Sequence, residues 1–503
     1  MQINQKKAGV ALSYVSELIK ILSHLLYTPI MLRLLGKSEY GLYQLVYSTV
    51  AYLGLLSFGF SASYIRFYTR LLHDDSKEDI HSLNGMFLTV FLALSALVTI
   101  CGIFMIKNIE MVFADGLTYS EYSTARILMG FMVFNLAIAF PDSVFNCILT
   151  AHEQFFIQRL LTVLQNLFNP FLTLPLLLAG YGSVGMVIVS TSLTIIRAAL
   201  DLWITLFRIH ERFRFSHFDF GLLKEMWRFT FFIFLNRIID QINWGVDKFL
   251  LGRMIGTGAV AIYGLGSQIN SMYVQLSSSI SSVFVPQVNR LVINDNNDEE
   301  LSKLFTRIGR VQLIVLGLPL TGFIFMGYQF MKLWGGPDFG DSYYVTLWLI
   351  IPVTIPLIQK MGIEIQRAKN MHQTRSIVYA CVSLFNVILS IPLIKLMGPR
   401  GAAMGTAVSL FCGNVLFMNW YYQKRIGLSI PLFWKNIVKF VPAFIIPCIA
   451  GVILKHHVQV NTYSILLCGI IYASIYMVSM WLLGMNSSEK ALVCSLIRRG
   501  RKV

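Results

Sequence analysis

Long apolar runs alternate with short polar breaks from one end of the chain to the other. About fourteen runs, at 12–35, 40–65, 84–106, 124–149, 160–179, 184–206, 230–251, 259–285, 311–331, 343–363, 376–397, 401–422, 437–455 and 463–484, each cover the roughly 20 residues that a helix needs to cross a bilayer. The runs are continuously apolar rather than alternating with period two, which predicts helices rather than a barrel. The run at 259–285 is the most polar and carries Ser267, Ser271, Ser277, Ser278, Ser279, Ser281 and Ser282.

The pattern occurs twice. Leu167-Phe168-Asn169 aligns with Leu384-Phe385-Asn386, and the same offset of about 217 positions brings Pro175-Leu176 onto Pro392-Leu393 and Ser192-Leu193 onto Ser409-Leu410. The starts of the halves echo each other as well: Leu35-Gly36 before Tyr40-Gly41, and Leu251-Gly252 before Tyr263-Gly264, with a longer insertion in the second copy. Six spans in each half make the repeat parallel, its axis along the membrane normal. The expected division is a first six-helix lobe at 1–206, a basic cytoplasmic linker at 207–228, a second six-helix lobe at 229–422, and two additional helices with a basic tail at 423–503. Membrane proteins built from two copies of one helical unit are usually transporters, since rocking one copy against the other exposes a shared site to either side.

Composition agrees: 56% of residues are hydrophobic and only 13% charged, against about 25% charged in soluble domains. The net charge of +16 looks topological. With both termini cytoplasmic, inward loops hold about 26 of the 41 Lys and Arg residues and outward loops about 8. Removing the serine-rich span would throw every later basic loop outside, so that segment is expected to cross. Dispersal among short loops argues for an anionic membrane surface, not nucleic acid, as the partner of these charges; the tail residues Arg498, Arg499, Arg501 and Lys502 form the one real cluster. The first apolar stretch follows Lys6 and Lys7 but contains Glu17 and Lys20 and lacks a small-residue cleavage site, so it is expected to stay as a helix.

Several motifs lead nowhere. The seven cysteines are scattered singly, and only His456 and His457 are adjacent, so neither a disulfide framework nor a metal site is expected. Gly180, Gly182 and Gly185 spell G-x-G-x-x-G, but they follow an apolar helix rather than a strand and read as a tight turn between the fifth and sixth spans. The acidic run Asp295, Asp298, Glu299 and Glu300 lacks a companion histidine or nucleotide loop and reads as a solvated connector.

Twelve repeated spans plus two, an early Leu-Gly-x-x-x-Tyr-Gly turn at Leu35 to Gly41 and a basic central linker resemble the polysaccharide transporter branch (O-antigen and capsule flippases, Wzx-like) of the multidrug/oligosaccharidyl-lipid/polysaccharide exporter superfamily. The resemblance implies an all-α, MATE-like integral membrane fold of two lobes around a central cavity. It further implies a flippase that moves undecaprenyl-diphosphate-linked oligosaccharide across the cytoplasmic membrane of a bacterium by alternating access. The implied partners are that glycan lipid and membrane lipids, with room for other polysaccharide-assembly proteins. No enzymatic activity, metal or cofactor is expected beyond a coupling ion, proton or sodium.

Ionisable residues inside a span cost roughly 2.5 to 3.5 kcal/mol at the bilayer centre and tend to face a wet interior, so they point to the cargo site. Glu17, Lys20 and His24 lie on one face of the first span, and Arg237, Asp240, Asn243, Trp244 and Asp247 recur at three- and four-residue steps in the seventh. Gln268, Asn270 and Gln275 add polarity to the eighth. The cations Lys20 and Arg237 are the expected diphosphate anchors, with Asn243, Trp244 and Gln268 toward sugar. The competing reading is that Glu17 with Lys20 and Arg237 with Asp240 are intrahelical pairs, that Lys248 reaches for the interface, and that the serines ease helix packing. Arg126, Asp142, Lys360 and Glu364, the last spaced to pair with Arg367, are weaker candidates. Asn169 and Asn386 read as bridges over proline distortions. Three rival functions share parts of this pattern: a lipid II flippase, a MATE-type cation and drug antiporter, and a polytopic membrane glycosyltransferase or polymerase, which would need larger loops than this chain has.

Overall fold

The computed structural model describes residues 5–73, 76–215, 218–294, 297–369, 371–491 and 494, all in helices or short connections, with no strand among them. The basic tail and Asp295 lie outside the described residues. Eighteen α-helices follow one another: α1 (Gln5–Leu53), α2 (Phe60–His73), α3 (Lys77–Lys107), α4 (Ile109–Phe113), α5 (Tyr119–Ala151), α6 (Phe155–Leu178), α7 (Gly182–Trp203), α8 (Phe220–Met254), α9 (Thr257–Asn294), α10 (Asp298–Trp334), α11 (Asp341–Ile358), α12 (Lys360–Ala368), α13 (His372–Met397), α14 (Pro399–Leu410), α15 (Met418–Tyr421), α16 (Ile430–Val438), α17 (Val441–His457) and α18 (Thr462–Ser479).

Each of the expected spans falls on helix. Among the described residues, ten helices are long and apolar enough to cross a membrane, or eleven when the bent pair α16 and α17 counts as one. The shortfall from fourteen has two sources. The first two expected spans run together from α1 into α2 as one stretch, Ile19–Leu72, and inside α1 the break falls at Gly36, whose φ of 77° and ψ of 172° belong to a backbone region open in practice to glycine alone. The other source is α8 and α9, whose polar residues keep them below the threshold of apolarity.

Packing divides the chain into two compact units, Met1–Ala261 and Ile262–Val503, so that α8 belongs with the first unit and the break falls in the opening turns of α9. In the first unit α1 lies against α6 and α8, and α5 lies between α3 and α7. Close approach depends on glycine: a Cβ on Gly41 would stand 1.9 Å from the Thr257 carbonyl oxygen. Proline inside α5 has its own compensation. Pro141 cannot donate to the carbonyl of Ala137, and Ser95 of α3 supplies that hydrogen bond at 2.7 Å.

In the second unit α14 packs on α13 and α11, while α10 carries α16, α17 and α18. Gly401 brings the backbones of α14 and α13 together, its missing Cβ leaving room for the Leu393 carbonyl. The two appended apolar segments are locked to α10 by Arg310, which bonds Glu489 at 2.6 Å and donates to the carbonyls of Asn436 and Gly484 beneath the Phe440 ring.

The paired asparagines do equivalent work in both units. Asn169 Oδ1 accepts from Thr173 at 3.3 Å and Asn386 Oδ1 from Ser390 at 3.1 Å, each a hydroxyl one turn further on beside the proline that breaks the helix ladder.

Candidate functional site

In the first span, the polar face expected from sequence is present on the first half of α1. Lys20 and His24 are exposed, Glu17 is half-buried, and Ser16 and Thr28 are buried. Glu17 Oε1 is buried with no hydrogen-bond partner among the described residues, so no intrahelical pair with Lys20 satisfies that oxygen. Behind this face Ser16 accepts from Asn166 of α6 at 3.4 Å, which fixes the rotation of α1.

On α8 the stripe divides by burial. Arg237, Asp240 and Trp244 are exposed, Trp244 by 41%, whereas Asn243 and Asp247 are 5% and 1% exposed and lie within the helix packing. Partners of this helix come from the second half of α1 and the short turn after it: Arg237 donates to Ser57 Oγ at 3.4 Å, and Lys248 donates to Gln44 Oε1 at 3.1 Å, Gln44 in turn donating to the buried Tyr40 hydroxyl. Lys248 is thus tied to a neighbouring helix rather than stretched toward an interface. Sequence reasoning singled out Tyr40 only as part of a turn and missed Gln44 and Ser57, although Gln44 is a polar residue in an apolar run and stands one turn after Tyr40.

In the second unit Gln268 and Gln275 are half-buried on α9, and Asn270 is 2% exposed with its Oδ1 unpartnered among the described residues. The serines of α9 join helices together. Ser277 donates to Gln312 Oε1 and Gln312 donates to Ser281, each at 2.5 Å, and Lys360 donates to Ser278. Lys360 is therefore bound to a serine, while Glu364 pairs with Arg367 at 3.0 Å.

Arg126 and Asp142 stand apart from these faces. Arg126 pairs with Glu110 at 3.2 Å on an exposed surface. Asp142 of α5 lies within electrostatic range of Asp201 and Arg197 of α7. The glycine fingerprint has a mundane occupant: Glu39 accepts from the backbone N–H and the hydroxyl of Ser183, at 2.6 and 2.8 Å, and so places its own carboxylate at the start of α7. A Cβ on Gly182 would sit 2.2 Å from that carboxylate, which explains the glycine without any nucleotide.

At the cytoplasmic side expected for the linker, Glu211 is clasped by the first unit. It accepts from Tyr68 at 2.6 Å and Asn84 at 2.9 Å and faces His152 at 3.2 Å. Burial alone would raise its carboxyl, but hydrogen bonds from His152, Tyr68 and Asn84 outweigh that and hold it below the usual glutamate value.

These features, apolar helices of membrane length carrying exposed cations on two faces and few large loops, define a multi-pass membrane protein of transporter type. The chain belongs to the polysaccharide biosynthesis protein family, whose pattern matches residues 7–292. It is 21% identical over 484 residues to the uncharacterized membrane protein EpsK of Bacillus subtilis, spanning 94% of each chain. It is 19% identical over 406 residues to a putative O-antigen transporter of Shigella flexneri, covering 78% of this chain and 91% of that one. The fold matches the lipid II flippase MurJ in an inward closed conformation with a TM-score of 0.72 at 16% identity, over 94% of this chain and 97% of that one.

Proposed function

We propose that this protein is a flippase that moves an undecaprenyl-diphosphate-linked oligosaccharide across the cytoplasmic membrane of a bacterium by alternating access, for surface polysaccharide biosynthesis. The observation that carries the proposal is the family membership of a chain whose membrane-length helices α1 and α8 keep Lys20, His24 and Arg237 exposed. A diphosphate is polyanionic, and fixed cations in a region of low dielectric attract it strongly. Lys20 and Arg237 bind the diphosphate, and Trp244 offers a ring face to sugar. The lipid tail stays in the bilayer while the polar head crosses. Both termini are cytoplasmic, which the distribution of basic loops supports. The protein carries its cargo without catalysing a reaction on it.

Deleting the protein from a cell that makes one defined surface glycan tests the reading. The expected result is lipid-linked oligosaccharide accumulating on the cytoplasmic leaflet with surface glycan lost; surface glycan at the wild-type level contradicts it. The structural likeness to a lipid II flippase favours one second reading, in which the cargo is lipid II. Accumulation of lipid II in place of the oligosaccharide lipid would select it.

A further inference from the structure

The chain leaves α7 and α15 in the same way. Each helix closes on a wide π turn, Ile204–Arg208 and Tyr422–Ile426. The Glu211 N–H then donates to the Thr205 carbonyl at 3.1 Å, as the Leu428 N–H does to the Tyr422 carbonyl at 3.0 Å. The two bonds are related by the offset of about 217 positions that aligns the halves of the sequence. Their side chains differ. Leu428 is fully buried in an apolar cluster, and α16 begins soon after it at Ile430. Glu211 instead takes hydrogen bonds from Tyr68 and Asn84 beside His152, and among the described residues no helix follows until Phe220. Apolar packing suffices for this chain exit at Leu428, so the clasp on Glu211 serves the segment around it.

That segment is fixed along α3. The Arg214 N–H donates to the His81 carbonyl at 2.9 Å, and Gly85 leaves room for the Arg214 carbonyl where a Cβ would clash. Burial alternates: Ile209, Glu211 and Phe213 are half-buried, Phe213 lying edge-on to Phe145, while His210 and Arg212 are exposed, as is Arg208 before them. Arg214 is drawn aside to Glu78 at 3.4 Å. Among the described residues neither Arg208 nor Arg212 meets a carboxylate. An aromatic pair stands at each end, Trp203 with Phe207 and Phe218 with Phe220, every ring exposed, Phe220 by 74%. Aromatic rings gather where hydrocarbon meets headgroups, and guanidinium forks match phosphate oxygens.

We propose that Arg208 and Arg212 form a strip that docks the phosphate groups of anionic phospholipid, at the end of the first unit assigned above to the cytoplasm. The aromatic pairs sit at headgroup depth, and the clasp on Glu211 holds the guanidiniums at that level. Scattered loop charges only draw an anionic surface near, whereas a strip whose backbone is already fixed binds phosphate without first ordering the chain. The rings favour a bilayer as occupant, since a soluble acidic partner offers them no hydrocarbon. The proposal uses that orientation and nothing about the cargo.

Arginine-directed dicarbonyl labelling of the full chain, read residue by residue by mass spectrometry, tests it in nanodiscs of phosphatidylcholine alone or mixed with phosphatidylglycerol. Phosphatidylglycerol should slow labelling of Arg208 and Arg212 at least about fivefold, the factor that one basic residue near an anionic surface contributes. Arg126, exposed but paired with Glu110, should label at one rate in both. Glu211→Ala opens the clasp and should return Arg212 toward its phosphatidylcholine rate; the wild-type comparison decides even where that variant fails to fold. Equal labelling of Arg208 and Arg212 in the two nanodiscs overturns the proposal, as does slowing of Arg126 by the same factor. Full protection of Arg212 in folded Glu211→Ala also overturns it, since the clasp would then position nothing. Protection by added polyglutamate but not by phosphatidylglycerol assigns the strip to an acidic protein, and protection by undecaprenyl diphosphate alone assigns it to the cargo; either result overturns phospholipid docking. No transport is measured, so the outcome is independent of whether the protein flips glycan lipid.

Discussion

Lys248 of α8 donates a hydrogen bond to Gln44 Oε1 of α1 at 3.1 Å, joining residues 204 positions apart in sequence. This bond, with Arg237 on Ser57, holds the polar helix α8 against the second half of α1 and the turn that follows it, and so sets which of its residues stay exposed. Gln44→Leu strands an ammonium group that is half-buried and should lower stability by about 1 to 3 kcal/mol. Lys248→Met should cost less, since it removes the charge that needs a partner. Thermal unfolding of the detergent-solubilised protein ranks the two, and equal melting points would show that the bond does not position α8.

The clasp on Glu211 gives a pH dependence of known sign. Its carboxyl sits below the usual value of 4.5, so the stabilisation is fully present above that value and disappears as pH falls through the depressed folded-state value. Unfolding measured from pH 7 down to pH 3 should show wild type losing its advantage over Glu211→Gln on the acid side only. A constant difference across that range would mean that the carboxylate charge is irrelevant to the clasp.

Arg310 and Glu489 are both buried, and neither has water to fall back on. Glu489→Leu leaves the guanidinium unpaired and should cost about 3 to 5 kcal/mol, while Arg310→Met with Glu489→Leu should recover much of that loss. Thermal unfolding of both variants reads it. A double variant no better than the single would place the cost in packing against Phe440 rather than in charge.

Gly182→Ala forces a methyl group against the Glu39 carboxylate at a residue whose φ is 54°. The expected loss is about 1 to 3 kcal/mol of stability. Added dinucleotide should shift the melting point of neither wild type nor variant; a saturable shift would reinstate the nucleotide reading of the fingerprint.

Much of this fold was legible in the pattern of apolar residues, because each membrane crossing is encoded locally by its own run. The Leu35-Gly36 break was legible too, since glycine alone tolerates the backbone found there. Less was legible at the sites. Arg237 and Asp247 share one stripe by spacing, yet one is exposed and the other buried, because helical periodicity fixes direction around an axis and not which neighbour lies there. Ser57 and Gln44 reach α8 only through tertiary packing. Apolarity alone leaves out α8 and α9, which are helices of 35 and 38 residues whose polar side chains find partners elsewhere in the chain.

The most direct test of cargo handling is flipping in proteoliposomes loaded with a fluorescent undecaprenyl-diphosphate oligosaccharide, read as the rate at which a glycan-cleaving enzyme outside gains access. Wild type should expose the glycan, and Lys20→Glu or Arg237→Glu should slow exposure at least about tenfold, equivalent to 1.4 kcal/mol of lost anion attraction. Flipping at the wild-type rate in both charge-reversed proteins, correctly inserted, would contradict the role given to these cations.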